Sequence, residues 1–357
     1  MSILGLYIAR CWLRLEALCL GGFMSIYLVL DVMDKIPRFV KAGGAPVDML
    51  RFFVWKLPEM IGQAAPFSIL VATLLTLGLL SGSGEITAMN SCGVSLLRIS
   101  LPMLALGMLS SLLLLANAEL LVPTSYERRD HIERIDIRKQ GVNTAFRLNN
   151  IWFRSETMIL QAGLFVPQES KLKGVIVWKV DSAMNPVGRI DAESAEFHGN
   201  VWTLRNAKLK DFSKGSGYTT QTVPAIDIPL NLKLDDLKIL DNDAENLNYA
   251  KLREYADNLR RGGYKASRYQ TMMNSKLSAP FAAFVMVVLG IPFAIRNRRS
   301  GGTLLGIVAG IAIGFTYFVT SAVLLSYGRT GVLPPILAAW GTNILFVLSG
   351  IWLALTI

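Results

Sequence analysis

SGGTLLGIVAGIAIGFTYFVTSAVLLSYG, residues 300–328, contains no Asp, Glu, Lys or Arg, and neither does TGVLPPILAAWGTNILFVLSGIWLALTI, residues 330–357. Only Arg329 divides them. Each run exceeds the roughly 20 residues an α-helix needs to cross a bilayer core. The chain's end therefore reads as two membrane spans, separated by Ser326-Tyr-Gly-Arg-Thr-Gly331 and Pro334-Pro335. Working back, Leu277–Ile295 and Ile99–Ala118 are also free of charge. Leu57–Leu80 carries Glu59 alone, and Cys11–Val32 carries Arg14, Glu16 and Asp31. Six spans follow. The first is too long, and too acidic at its end, for the usual 7–15-residue core of a cleaved signal peptide, although Ala42-Gly-Gly-Ala45 offers small residues.

Composition agrees. The chain has 357 residues, 52% of them hydrophobic and 17% charged, against about 25% charged in soluble chains. The net charge of +10 does not indicate nucleic acid, because no basic stripe is interleaved with aromatics on a soluble face. Anionic lipid is the expected counterpart of a basic membrane protein.

Arginines and lysines beside spans favour the cytoplasmic side. Arg296, Arg298 and Arg299 follow the fourth span, and Arg10 and Arg14 open the first. Both termini are therefore expected in the cytoplasm, and the middle of the chain outside, in the periplasm of a Gram-negative cell. The first external loop, with Lys35, Arg38, Lys41, Arg51 and Lys56, breaks the rule. Cys11, Cys19 and Cys92 all fall in spans or the cytoplasmic loop, so the exported part needs no disulfide. His131 and His198 stand far apart without Cys, and no metal site is expected.

The middle of the chain reads as strands. Ile226-Asp-Ile-Pro-Leu-Asn-Leu-Lys-Leu234 alternates apolar and polar residues, with Pro229 marking an edge or a bulge. Gly174–Val180 is a second strand, followed by a turn at Asn185-Pro186. Phe197–Trp202 is a hairpin with Gly199-Asn200 at its tip. A sandwich, jelly roll or curved half-barrel is expected. Leu247, Leu252, Tyr255 and Leu259 then recur near helical spacing, closed by Gly262-Gly263. The expected organisation is membrane helices 1–3 in residues 1–123, with a cytoplasmic helix near 84–94. A β-jelly-roll-like periplasmic domain follows in 124–243, then a connecting helix in 244–271 and helices 4–6 in 272–357. The fold class is thus membrane α-helical with an inserted all-β domain.

Catalytic chemistry is scarce. No G-x-x-x-x-G-K-[ST] loop is present, so the chain is not its own P-loop ATPase. Gly301-Gly302-Thr303 lacks the Lys-Ser pair. Ser110, Ser111 and Ser321 lie in apolar spans without a nearby His and read as helix-packing residues. No catalytic residue is expected. The segment Ser81-Gly-Ser-Gly-Glu-Ile-Thr-Ala-Met-Asn-Ser-Cys-Gly93 between the second and third spans is more distinctive. Ser83 is placed to cap a short helix with Glu85 at its positive end. Gly93 ends it, leaving Ile86, Met89 and Val94 for contact. It reads as a docking element or as a plain amphipathic connector.

Gly84-Glu-Ile-Thr-Ala-Met-Asn-Ser-Cys-Gly-Val-Ser95 resembles the coupling-helix region of the LptF/LptG permeases, the YjgP/YjgQ family. Tyr269-Gln-Thr-Met-Met-Asn-Ser-Lys-Leu-Ser-Ala-Pro-Phe281, running on to Gly290-Ile-Pro-Phe293, is similar as well. So are Ile151-Trp-Phe-Arg-Ser155, Ile159-Leu-Gln-Ala162 and Arg189-Ile-Asp-Ala-Glu193. The resemblance covers essentially the whole chain and is nearer the LptG branch than the LptF branch. It implies one permease subunit of an ABC transporter that exports lipopolysaccharide. Two permeases would pair on a dimer of the ATPase LptB. Lipid would enter between the spans, reach the β domains and pass to LptC and LptA. ATP and Mg²⁺ would belong to the ATPase, and this chain would need no cofactor. Glu85 occupies the place of the family's coupling-helix acid, with Ile86, Met89 and Gly93 beside it. The family uses basic residues at the external edge of the first span to meet lipid phosphates. Lys41 matches through Lys-Ala-Gly. A second family lysine falls on Asp34, and the adjacent Lys35 faces about 100° away. Pro37 is expected to kink or end the helix here. Arg38, and Arg128, Arg129 and Arg134 after the third span, extend the basic rim. Ordinary interfacial snorkelling is the alternative for each. The competing readings of the whole chain are the paralogous LptF subunit, or a membrane-anchored lipid-modifying enzyme or chaperone, which would show activity in the isolated chain.

Overall fold

The computed structural model describes residues 3–137, 144–145, 149–154, 157–166, 169–181, 186–198, 201–212, 219–228, 247–261, 265–296 and 303–356. It divides into a unit of residues 1–139 and 267–357 and a second unit of residues 140–266.

The first unit is helical. α1 (Ile3–Lys41), α2 (Pro46–Gly82), the short α3 (Glu85–Ser91) and α4 (Leu96–Ala116) come first. Through a π-helical turn at Asn117–Leu121, α4 runs on into α5 (Val122–His131) and a further turn at Ile132–Ile137. Residues 124–137 therefore continue the third membrane helix, where strands were expected from 124 onward. Pro123 stands just past the π-helical turn, where the regular backbone ladder is already interrupted and a residue without an N–H is accommodated. Among the described residues, six helices are long and apolar enough to cross a membrane.

Pro37 neither ends nor replaces the helix: α1 passes through it to Lys41. It stops where Gly43 takes φ +74° and Gly44 N–H donates to the Phe39 carbonyl at 3.1 Å, a left-handed turn suited to glycine.

The core of this unit lies among α2, α4 and the returning helix Ala282–Arg296. Ile8 and Trp12, one turn apart on α1, join Ile69, Leu70, Leu77, Ile99 and Met103. Trp12 Nε1 donates to Thr73 Oγ1 at 3.0 Å, which satisfies the indole where water is absent. α3 ends at Gly93, φ +80°. Ser95 then caps α4, its hydroxyl accepting from Arg98 N–H at 3.4 Å.

Among the described residues of the second unit, seven antiparallel strands follow in sequence order. They are β1 (Thr144–Ala145), β2 (Asn149–Arg154), β3 (Met158–Val166), β4 (Lys171–Val180), β5 (Pro186–His198), β6 (Val201–Asp211) and β7 (Thr219–Ile228). A single sheet with consecutive hairpins is thus the form taken by the expected β domain. Alternation decides its faces. Leu160, Ala162, Val175, Val177, Ile190, Ala192, Leu204 and Ala207 are buried. The opposite face carries ion pairs: Lys171–Glu196 at 3.0 Å, Arg205–Glu196 at 3.2 Å and Lys210–Asp191 at 3.2 Å. The Lys171 ammonium, with Arg205 adding to it, holds the Glu196 carboxyl below its ordinary range. β5 and β6 form the expected hairpin, His198 opposite Val201; its Gly199-Asn200 tip lies outside the described residues, as do Asn185 and Pro229–Leu234. α6 (Tyr249–Arg261) buries Leu252, Tyr255, Ala256 and Leu259, the i, i+3, i+4, i+7 stripe of an amphipathic helix. The Tyr255 hydroxyl donates to the Phe165 carbonyl at 2.9 Å. The expected Gly262-Gly263 cap lies outside the described residues.

The chain re-enters the helical unit through α7 (Ser267–Ser278), a 3₁₀ turn at Ala279–Phe281 and α8 (Ala282–Arg296). The turn is bridged by Ser111, whose hydroxyl accepts from Phe284 N–H at 3.0 Å; this buried serine serves a backbone donor beside Pro280. α9 (Thr303–Thr330) and α10 (Pro335–Leu355) complete the unit. Asn297–Arg299 lie outside the described residues. Asn343 links three of these helices: its amide donates to the Ser278 carbonyl at 2.8 Å, and its oxygen accepts from the Tyr317 hydroxyl.

Small residues let these helices approach. A Cβ at Gly107 would stand 2.7 Å from Val287 Cγ2, and one at Gly290 2.9 Å from Thr73 Cγ2. Replacing Gly107 by Leu is expected to push α4 off α8 and cost about 1–3 kcal/mol. It should lower the unfolding midpoint of the detergent-solubilised chain, with Gly107→Ala affected less. An unchanged midpoint for the leucine variant would contradict this packing.

Candidate functional site: two polar clusters at opposite ends of the helical unit

The first cluster is built where the C-terminal part of α1 meets the start of α2 and α5. Asp31 and Lys35 stand one turn apart on α1, and Lys56 and Glu59 nearly one turn apart on α2. The Lys56 ammonium reaches Asp31 Oδ1 at 2.5 Å, with side-chain exposures of 7% and 14%. Lys35 Nζ is 4.0 Å from the same oxygen. Arg129 of α5 pairs with Glu59. Between the cations lies the buried Phe52 ring, with Lys35 Nζ 4.5 Å and Arg129 Cζ 5.8 Å from its centroid. Both approaches suit a cation over an aromatic ring. The Arg129 guanidinium also lies 5.1 Å from the Tyr126 ring. Phe39, Phe53, Ile132 and Ile137 pack around this site.

The six basic residues expected here are thus placed differently from one another. Lys35 and Arg129 come together on Phe52. Arg38 turns to Asp34 at 2.7 Å in an exposed pair, which contributes little. Lys41 is exposed at the end of α1, and Arg128 is exposed on α5. Arg134 is on the helical turn after α5, its side chain outside the described residues. Sequence reasoning missed Asp31, Lys56 and Glu59 as members of the site. Their signal was present: three charged groups inside or bordering apolar runs, which are costly there unless paired.

The second cluster is α3, at the end of the unit where α1 begins. Its start differs from the expected cap. Gly84 precedes the helix at φ +77° without a side-chain cap. The Ser83 hydroxyl donates to Glu85 Oε1 at 2.8 Å instead. The Glu85 carboxylate also meets the Tyr7 hydroxyl of α1. Ile86 points inward, 2% exposed, in the same core as Trp12 and Leu77, and Met89 and Val94 pack against that core. Thr87, Ala88, Asn90, Ser91, Cys92 and Gly93 form the exposed side. Ile86 therefore anchors α3 to its own chain, while Glu85 is half-buried beside Ser83 and Tyr7 and the small residues face outward.

Two end-to-end polar clusters on a six-span unit, joined to a β unit, agree with the resemblance drawn from the sequence, and the comparison with known families decides it. The sequence model of the family "Lipopolysaccharide export system permease LptF/LptG" matches residues 6–356. The chain belongs to the LptF/LptG family. Among curated members it is 22% identical to the permease protein LptG of Escherichia coli K12, over 99% of this chain and 98% of that protein. It is 24% identical to LptG of Haemophilus influenzae, over 94% and 95%. It is also 22% identical to LptF of E. coli K12, over 93% and 91%. An LptF/LptG permease with this arrangement offers charge at both ends of its spans: a half-buried cation group at one, a carboxylate on a short anchored helix at the other.

Proposed function

We propose that this chain is the LptG-type permease subunit of a lipopolysaccharide exporter in the inner membrane. Beside it we place an LptF-like permease, and beneath both an LptB-like ATPase dimer that binds ATP and Mg²⁺. LptC and LptA receive the lipid. Both termini and α3 face the cytoplasm, and the β unit lies in the periplasm. The observation that carries the reading is the cation group of Lys35 and Arg129 beside exposed Lys41 and Arg38, at the end of the spans opposite α3. Lys and Arg beside a span on the external side run against the usual bias, and an anionic lipid head supplies the reason. Each basic group near an anionic surface gains roughly 1 kcal/mol, and arginine adds two parallel bonds to a phosphate. Several moderate contacts also allow release, which one very tight site would oppose.

The test is a reconstituted transporter containing this chain, its partner permease and the ATPase in proteoliposomes. Arg38→Glu with Lys41→Glu is expected to weaken lipopolysaccharide binding about tenfold or more and to lower lipid-stimulated ATP hydrolysis. Lys41→Arg should stay close to wild type. Normal binding and export by the assembled double-reversal variant would reduce these residues to interfacial anchors. Lipid turnover by the isolated chain would favour the enzyme reading.

A further inference from the structure

Three cations and two carboxylates meet around Phe52. Lys56 and Arg129 each have a close carboxylate, Asp31 and Glu59. Lys35 does not. It reaches only the oxygen that Lys56 already holds, at 4.0 Å against 2.5 Å. Asp31 Oδ2 is buried and accepts no hydrogen bond from the described residues. The charges of Lys56 and Arg129 both oppose that of Lys35. Lys35 is therefore the surplus cation. It is held over an aromatic ring and remains reachable, with 24% of its side chain exposed. Lys56, by contrast, is buried and locked to Asp31 across α1 and α2. A half-buried ammonium with two cationic neighbours and half a counter-ion favours any anion that can approach.

We infer that Asp31 and Lys56 form a fixed positioning pair that presents Lys35 as an exchange site. A lipid phosphate monoester replaces Asp31 as the counter-ion of Lys35, with Arg129 beside the same ring, and release returns Lys35 to Asp31. Asp31 is thus the internal competitor that keeps the phosphate from being held too long. No covalent bond changes; only ion partners exchange. This rests on the lipopolysaccharide reading above and adds to it a residue that acts against binding.

The experiment uses the assembled transporter in nanodiscs, with lipopolysaccharide, its enzymatically dephosphorylated form, and inorganic phosphate as probes. Lys35→Gln is expected to weaken binding of the phosphorylated lipid about tenfold and to leave the dephosphorylated form unchanged. Asp31→Asn alone would strand Lys56 in a buried site, so the double variant Asp31→Asn, Lys56→Met is used to remove the competitor without an orphan charge. It should bind phosphorylated lipid several-fold more tightly, lowering both the KM and the kcat of lipid-stimulated ATP hydrolysis. A purely structural role for the pair predicts weaker binding instead, with Lys35→Gln silent, and either result overturns the inference. Equal affinity of wild type for both lipid forms, with inorganic phosphate displacing neither, also overturns it while leaving export itself intact. If inorganic phosphate binds at Lys35 and lipid does not compete, a free anion occupies the site and the exchange with a lipid head is refuted. Wild type that binds no lipopolysaccharide at all would instead sink the proposed function.

Discussion

Reversing the charge at Glu85 is expected to stop transport while leaving the chain folded in the membrane. The carboxylate sits at the first turn of α3, where it is held by the Ser83 hydroxyl and faces Tyr7. The helix does not depend on it: Ile86, in the buried core, ties α3 to α2. A lysine at 85 loses the favourable acid at a helix N-terminus, about 0.3–1 kcal/mol, too little to unfold the unit. On the proposed reading, its effect on the docking of an ATPase is larger. Loss of one partner of an interfacial charge pair costs about 2 kcal/mol or more, which is about thirtyfold in affinity. The expected result is normal insertion, failed co-purification with the ATPase and no growth when the variant is the sole copy. Glu85→Gln should be intermediate. Wild-type export by an assembled Glu85→Lys transporter would remove Glu85 from the coupling path.

Lys56→Met should be the most destabilising single change at the other end of the unit. It leaves the Asp31 carboxylate buried between α1 and α2 with Lys35 only at 4.0 Å. Breaking a buried pair by removing one partner costs about 3–5 kcal/mol, whereas replacing both by groups of similar volume is close to neutral. Thermal unfolding of the purified chain should therefore show a large drop for Lys56→Met and recovery in Asp31→Asn, Lys56→Met. If the single and double variants melt together, the pair adds nothing to the α1–α2 contact. The same double variant serves both stability and lipid affinity: its unfolding midpoint should stay near that of wild type, while its lipid affinity rises only if Asp31 competes with lipid.

The sequence by itself determined the six spans, because hydrocarbon excludes unpaired charge and the charge-free runs of 300–328 and 330–357 leave no other placement. It determined the faces of the strands, since alternation has a period of two and Val175, Val177 and Ala162 could bury only one side. It also placed α3, between glycines that accept positive φ. The helical stretch at 122–137 was not legible: residues from 124 onward read as the start of the strand domain, and it is packing of Ile132 and Ile137 with Phe39 and Phe52 that holds them as helix. The inward turn of Ile86 was hidden as well, because a seven-residue helix has too few positions to fix its buried face. Tertiary structure alone decided which charges meet. Asp31 and Lys56 are 25 residues apart, and Glu59 and Arg129 are 70 apart. Their pairing depends on how far each helix is rotated and shifted against its neighbour, a quantity set by side-chain packing along the whole contact and not by the period of any one helix.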